Sequence, residues 1–82
     1  MKRDKIVEEV LDVFEKYSEC ARADLLTAES LEELVDSMAR IEIVFEIEDK
    51  YGIELSDQEV LAIRKFSDVV DGVERHLLTN VA

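Results

Sequence analysis

The sequence predicts an all-α fold, a small four-helix bundle with a long first connection. Only two of the 82 residues are glycine and none is proline, whereas a strand-rich domain of this size needs frequent turn residues. Apolar residues also recur at helical spacing in four segments, which predicts helices over residues 4–17, 37–51, 57–64 and 68–78. The length suits one domain, which we place over residues 1–82.

The first helix is expected to begin at Asp4, whose carboxylate can accept hydrogen bonds from the free backbone N–H groups of the first turn. Residues 18–35 then lack a regular pattern. We expect this connection to be held against the bundle by four leucines: Leu25, Leu26, Leu31 and Leu34. Ser30 and Glu33 have the spacing of a capping box, so a single helical turn is predicted there. A connection this long in a small domain usually has a function or packs as a second layer.

The second helix is the clearest element of the sequence. Asp36 and Ser37 suit its N-terminal boundary, and Gly52 suits the left-handed position that ends it. Residues placed at intervals of about 100° predict one broad apolar side, formed by Met38, Ile41, Val44, Phe45, Ile47 and Tyr51, with Ile43 at its margin. Three acidic residues fall on the opposite side: Glu42, Glu46 and Asp49. We therefore expect a helix with a core face and an acidic face.

Two shorter helices complete the predicted bundle. Ser56 and Glu59 form a capping box that opens the third helix, whose apolar residues are expected to point inward: Val60, Leu61 and Ile63. Ser67 and Asp68 are expected to cap the fourth helix, with Phe66 packing at its entry. The apolar residues of the fourth helix again step at helical spacing: Val69, Val70, Val73 and Leu77.

The charge of the chain excludes some partners and favours others. It has 21 acidic and 10 basic residues, a formal net charge of −11, which repels nucleic acids and anionic lipid surfaces and suits partners with basic docking patches. The single cysteine, Cys20, cannot form an internal disulfide, which fits a reducing compartment. No apolar run resembles a signal peptide or reaches membrane-spanning length. These features predict a cytoplasmic protein without a membrane span.

Catalytic chemistry is difficult to assemble from this sequence. The one histidine, His76, lies near the end of the last predicted helix, where a cation is favourable whether or not it has another role. One cysteine and one histidine are too few for a structural zinc site. Taking Gly52 as the sixth position of a calcium loop puts Ile47 first, so that interpretation fails as well. We predict no catalytic residue, no metal site and no enzyme activity.

Asp36 and Ser37 admit two interpretations. Any Asp-Ser pair before an apolar helix can be a simple helix cap. The free N–H groups and positive dipole end of the helix would also stabilise a phosphate attached to the Ser37 hydroxyl. Ser37 is therefore a candidate attachment point for a phosphorylated arm whose far end visits several enzymes.

From Asp36 to about Leu77 the sequence resembles the acyl carrier proteins. Asp36-Ser37-Met38 resembles the Asp-Ser-Leu attachment motif of that family, with Met in place of Leu. Further positions agree in register without a gap: Ile41-Glu42-Ile43-Val44, Ile47-Glu48-Asp49, Tyr51, Ile53-Glu54-Leu55, Ser56-Asp57 where members often have Pro-Asp, and Ile63. The specific resemblance covers about half of the chain, and the first helix and connection agree in layout.

The resemblance implies that a separate phosphopantetheinyl transferase, using coenzyme A and magnesium, attaches 4′-phosphopantetheine to Ser37. The thiol of this arm would carry an acyl group as a thioester to acyl-transferring or synthase enzymes with basic docking patches. Five positions are implied in recognition by partners: Asp36, Met38, Glu42, Glu48 and Asp49. Four are implied to line the bundle interior, where some carriers shelter an acyl chain: Ile41, Ile47, Leu55 and Ile63. A carrier that docks serially is expected to be a monomer.

The sequence departs from the family pattern beside the motif. Leu34 and Val35 stand where members usually have a glycine two residues before the Asp-Ser pair, and Ala39 and Arg40 replace a usual acidic and a usual uncharged residue. Arg40 is expected to place a positive charge near the docking surface. These departures favour a dedicated carrier for a polyketide, a specialised lipid or an aminoacyl group over the housekeeping fatty-acid carrier. An aminoacyl or peptidyl carrier, and a non-covalent acidic helical interaction module, remain the alternatives.

Overall fold

The computed structural model describes residues 2–79 and confirms the all-α prediction, with no strand in that range. Five helices and one 3-10 turn follow in order: α1 Arg3–Tyr17, α2 Arg22–Thr27, the turn Leu31–Glu33, α3 Ser37–Tyr51, α4 Asp57–Ala62 and α5 Phe66–Thr79. Met1 and residues 80–82 of the expected domain lie outside the described residues.

The core is built chiefly by α1, α3 and α5, with α1 packed against both of the others. Phe14 and Phe66 meet edge to face with their ring centroids 5.5 Å apart, a geometry that aromatic pairs favour. Of the four predicted apolar positions of α5, Val69, Val70 and Val73 are confirmed as core, whereas Leu77 is partly buried against it.

The start of α1 differs from the prediction. The helix begins one residue earlier than expected, with Lys2 at the N-cap position and no side-chain capping bond, so the prediction of an Asp4 cap is wrong. Asp4 instead lies in the first turn, where its negative charge still favours the helix dipole. The Arg3 guanidinium donates to Asp71 at 2.8 Å and to Glu74 at 3.2 Å, which ties this first turn to α5.

The connection after α1 holds a helix that the sequence pattern missed. Helix α2 has six residues and buries only Leu25, so it presents no helical period that a pattern search would find. Leu26 is exposed, and its expected packing role is wrong. The predicted turn after Ser30 is present as a 3-10 turn, but the Ser30 side chain makes no capping bond.

Helix α3 has the predicted bounds but a different buried face. Its core residues are Ile43 and Ile47, whereas several residues of the predicted core face are exposed: Met38, Ile41 and Phe45. In this orientation Glu46 lies beside α1, where its carboxylate accepts from Tyr17 Oη at 2.7 Å and Lys16 Nζ at 3.1 Å. Apolar residues lie nearly all around this helix, so the pattern alone did not decide which of them would be buried.

Helix α4 is short and shallow. Ser56 Oγ accepts from the Glu59 amide at 3.2 Å, which confirms the predicted cap. The helix ends at Ala62, two residues before the predicted boundary, and none of its residues is buried. Leu61, expected to point inward, has 79 % of its side chain exposed, so that prediction is wrong.

Helix α5 begins at Phe66, two residues before the predicted boundary. Asp68 Oδ2 accepts from the amides of Arg64 and Lys65, each at 3.0 Å, so its carboxylate fixes the junction between α4 and α5 from within the first turn. None of the described helices is long and apolar enough to cross a membrane.

Candidate functional site

Ser37 is the first residue of α3, and its side chain is exposed. The turn that presents it is fixed by Asp36, whose Oδ1 accepts from the Ala39 amide at 2.8 Å, while its carbonyl accepts from the Arg40 amide at 3.0 Å. The cap uses the Ala39 donor, and the first amides of a helix have no partner within the helix itself. Ser37 is therefore held by a rigid turn at the positive end of a 15-residue helix.

An open groove of about 1160 Å³ begins at Ser37 and runs between α3 and α4. Its apolar lining includes Ile41, Phe45 and Leu61, all exposed to solvent. Its polar lining includes four carboxylate residues: Glu48, Asp49, Glu54 and Asp57. An exposed hydroxyl at a helix N-terminus, next to a groove of this size, fits the attachment of a phosphopantetheine arm.

The residues predicted for partner recognition differ in how far they are exposed to solvent. Met38, Glu42 and Asp49 are exposed, and Met38 is the most open of them with 74 % of its surface accessible. Glu48 is half-buried, and its Oε2 accepts from the Leu55 amide at 2.8 Å. Glu48 therefore also fixes the loop that follows α3.

The residues predicted to line the interior are only partly brought together. Ile47, Leu55 and Ile63 border one small, mainly apolar cavity of about 20 Å³. That volume holds about one water molecule, so the interior has no room for an acyl chain in this conformation. Ile41 is 54 % exposed and lines the outer groove instead, so the expectation that it lies inside is wrong. Residues two apart on a helix differ by about 200° in direction, and the burial of Ile43 turns Ile41 outward.

Arg40 occupies a position that the sequence did not reveal. Its Nη2 donates to the carbonyls of Val60 at 3.2 Å and Ile63 at 3.4 Å, and its Nη1 donates to Glu32 at 3.2 Å. The side chain borders both the outer groove and the inner cavity. The positive charge therefore lies beside the groove, near the expected docking surface, but the guanidinium is held against the last turn of α4. No sequence pattern predicts the bonds of Nη2, since their acceptors are backbone carbonyls.

The titratable groups with shifted pKa values lie in contacts between elements, away from Ser37. Burial and the neighbouring Glu9 carboxylate raise the pKa of Tyr51, whose hydroxyl donates to Glu9 at 2.8 Å. The hydrogen bonds from Tyr17 and Lys16 lower the pKa of Glu46. Within residues 2–79 no group of three or more His, Cys, Asp or Glu residues is placed to hold a metal ion.

The amino-acid sequence is similar to that of known carrier proteins. The family model described as the phosphopantetheine attachment site matches residues 5–73. An acyl carrier protein of Rickettsia bellii (strain OSU 85-389) is 36% identical over 72 residues, covering 88% of this chain and 86% of the relative. A meromycolate extension acyl carrier protein of Mycobacterium tuberculosis (strain ATCC 25618 / H37Rv) is 34% identical over 41 residues, covering 50% of this chain and 36% of the relative. No solved structure matches.

The family match covers most of the described chain, and the Rickettsia relative matches along nearly its whole length. The family model names a phosphopantetheine attachment site, and the relative is named as an acyl carrier protein. The chain therefore belongs to the acyl carrier protein family and is a phosphopantetheine-dependent carrier, not an enzyme.

Proposed function

We propose that this protein is a discrete carrier that holds acyl intermediates as thioesters on a 4′-phosphopantetheine arm attached to Ser37. The observation that carries the proposal is the exposed Ser37 at the start of α3, beside the groove between α3 and α4. The partner enzymes that receive the acyl group belong to a lipid, polyketide or related pathway. The substitution of Ala39 and Arg40 next to the motif supports a dedicated pathway over the housekeeping one.

Loading is a phosphoryl transfer in which Ser37 is the nucleophile. Its Oγ attacks the phosphate of coenzyme A that bears the pantetheine, the bond to the adenosine bisphosphate breaks, and a base on the transferase takes the hydroxyl proton. The helix dipole and free amides at the start of α3 favour the phosphodiester that forms. Asp36 contributes by fixing the turn that presents the hydroxyl.

Docking of partners is proposed on the exposed side of α3. Glu42 and Asp49 present negative charge there, and Met38 and Phe45 present apolar surface close to Ser37. A basic patch with an apolar recess at its centre would match both features. Because the formal net charge is −11, association with such partners should slow as salt is added. Glu48 accepts a hydrogen bond from the Leu55 amide and so holds the loop after α3 beside this surface.

A cytoplasmic monomer is part of the same proposal. The free Cys20 fits a reducing compartment, and serial docking of one arm to several enzymes needs no second copy. An acyl cargo is preferred to an aminoacyl cargo because the matched relatives are named as acyl carriers.

The test is incubation of the purified chain with coenzyme A, magnesium and a broad-specificity phosphopantetheinyl transferase. We expect the intact mass to rise by one phosphopantetheine group, and Ser37→Ala to remove the gain while the helical circular dichroism is unchanged. Ser67→Ala is the matched control, because Ser67 is also an exposed serine in the first turn of a helix, and it should load normally. If several transferases leave the wild type unmodified, the non-covalent interaction module replaces the carrier.

A further inference from the structure

We propose that Arg40 is a specificity-determining residue that keeps aliphatic cargo out of the bundle interior by fastening α4 to α3 across its entrance. The inference goes beyond the proposed function and rests on it in one respect, that the cargo starts from Ser37. It concerns where the cargo lies once it is attached.

The geometry places Arg40 between the attachment point and the interior. It lies three residues after Ser37 on α3, which is about 4.5 Å along the helix axis. Arg40 lines both the groove that begins at Ser37 and the small interior cavity. Val44 and Leu55 also line both spaces, so the groove and the cavity adjoin beside Arg40. A chain that passes directly from one to the other goes by the guanidinium.

The bonds of Arg40 close this passage at several points. The guanidinium spans three acceptors, the carbonyls of Val60 and Ile63 at the end of α4 and the carboxylate of Glu32 in the 3-10 turn. The last carbonyls of a helix lack a complete set of partners within the helix, and a cation is favourable there. The planar fork of an arginine can satisfy such a divergent set, which a lysine with a single nitrogen cannot.

Helix α4 depends on such polar contacts because it has no buried residue. Two further contacts hold it and its C-terminal end. Glu59 lies 2.6 Å from Nε2 of His76 on α5, and the carbonyl of Arg64 accepts from the Leu31 amide at 2.7 Å. Since the interior cavity holds only about one water molecule, an aliphatic chain enters only if α4 moves away from α3. That movement breaks the Arg40 bonds.

A purely structural role for Arg40 makes a different prediction. If Arg40 only stabilised the fold, its replacement would lower the stability of every loaded form by the same amount, whatever the length of the acyl chain. A barrier to the interior makes the effect depend on the length of the acyl chain. The chain length is therefore the variable that separates the two roles.

The experiment uses the wild type, Arg40→Met and the control Arg64→Met, in which another arginine close to α4, exposed to solvent, is replaced. Each is loaded with butanoyl and octanoyl thioesters from the corresponding coenzyme A esters. In the wild type and the control the two melting temperatures should agree within the error of the measurement. In Arg40→Met the octanoyl form should melt about 5 °C higher than the butanoyl form, because the added methylene groups become buried.

Nuclear Overhauser effects give the second readout. Phe14 lines the interior cavity, so contacts between its ring and the octanoyl methyl group are expected in Arg40→Met and absent in the wild type and in Arg64→Met. Equal chain-length effects in the wild type and in Arg40→Met would overturn the proposal. The absence of any chain-length effect in Arg40→Met would overturn it too.

A third measurement does not depend on loading. In the unloaded protein, amide hydrogen exchange across α4 should be about tenfold faster in Arg40→Met than in the wild type, and unchanged in Arg64→Met. If Ser37 accepts no arm while this difference is found, the carrier proposal fails and the fastening of α4 stands. Unchanged exchange refutes the fastening itself. Should Arg40→Met not fold, Arg40→Lys takes its place, with an exchange rate expected above the wild type.

Discussion

Helices α3 and α4 begin alike and are anchored differently. In both, an N-cap side chain accepts from the amide three residues later, Asp36 from Ala39 at 2.8 Å and Ser56 from Glu59 at 3.2 Å. Helix α3 then buries two isoleucines against the core, whereas α4 buries nothing. The caps decide where each helix starts, and the tertiary contacts decide how firmly it is held.

Helices α3 and α4 form the two walls of the groove, and their different anchoring suits them to different roles. Helix α3 presents Ser37 from a support that is capped at one end by Asp36 and closed at the other by Gly52, whose φ of 64° is left-handed. Helix α4 forms the opposite wall through side-chain and backbone hydrogen bonds. The attachment point is thus fixed, and the wall across from it is the part that can move at low cost.

The largest expected effect tests the anchoring of α3 directly. Ile47→Ala should lower the free energy of unfolding by about 3 kcal/mol, because the side chain is fully buried and its removal leaves a cavity. Leu61→Ala on α4 is the matched apolar truncation and should change it by less than about 0.5 kcal/mol, since that side chain is exposed. Urea unfolding measures both. Similar losses at the two positions would remove the contrast between the helices.

The sequence predicted the bounds of the helices better than it predicted which side of each helix is buried. The bounds of α3 follow from Asp36 and Gly52, which are local signals, and Ser37 follows from the motif at that boundary. The buried side of α3 depends on how the helix packs against α1, where Ile43 and Ile47 enter the core and Glu46 bonds to Tyr17 and Lys16. Apolar residues on most sides of α3 left that choice open to tertiary contacts.

Helix α2 and the bonds of Arg40 could not be predicted from sequence patterns either. Helix α2 is one short turn and a half around a single buried leucine, so it has no periodicity to detect. Arg40 reaches carbonyls 20 and 23 residues away along the chain. Backbone acceptors exist at every residue, and their pairing with one side chain is set only by the folded arrangement.

The next largest effect compares the N-caps of α3 and α4, Asp36 and Ser56. Asp36→Ala should lower the free energy of unfolding by about 1 kcal/mol. Ser56→Ala removes an equivalent bond but should lower it less, because the loss cannot exceed the free energy at which α4 opens locally. Urea unfolding and amide exchange together separate the two. Equal global losses, with no faster exchange confined to α4, would show that α4 is held as firmly as α3.

The smallest effect concerns acid and the junction between α4 and α5. The amides of Lys65 and Arg64 donate to the Asp68 carboxylate and lower its pKa below the ordinary value of 3.8. A folded-state pKa below the unfolded one means that this carboxylate stabilises the fold above about pH 4 and that the contribution is lost as pH falls through the folded value. The difference in stability between the wild type and Asp68→Asn should therefore be full at pH 6 and shrink below about pH 4.

Comparing the two proteins at each pH removes the contribution of the many other carboxylates, which titrate in both. Protection factors for amide exchange then show where the loss falls. If α4 is the loosely held wall, acid should reduce protection at its C-terminal end in the wild type before it reduces protection in α3. Asp68→Asn should already have the lower protection at pH 6. A wild type that loses protection in α3 first would place the weak point on the other side of the groove, next to Ser37, and would reverse the roles assigned to the two helices.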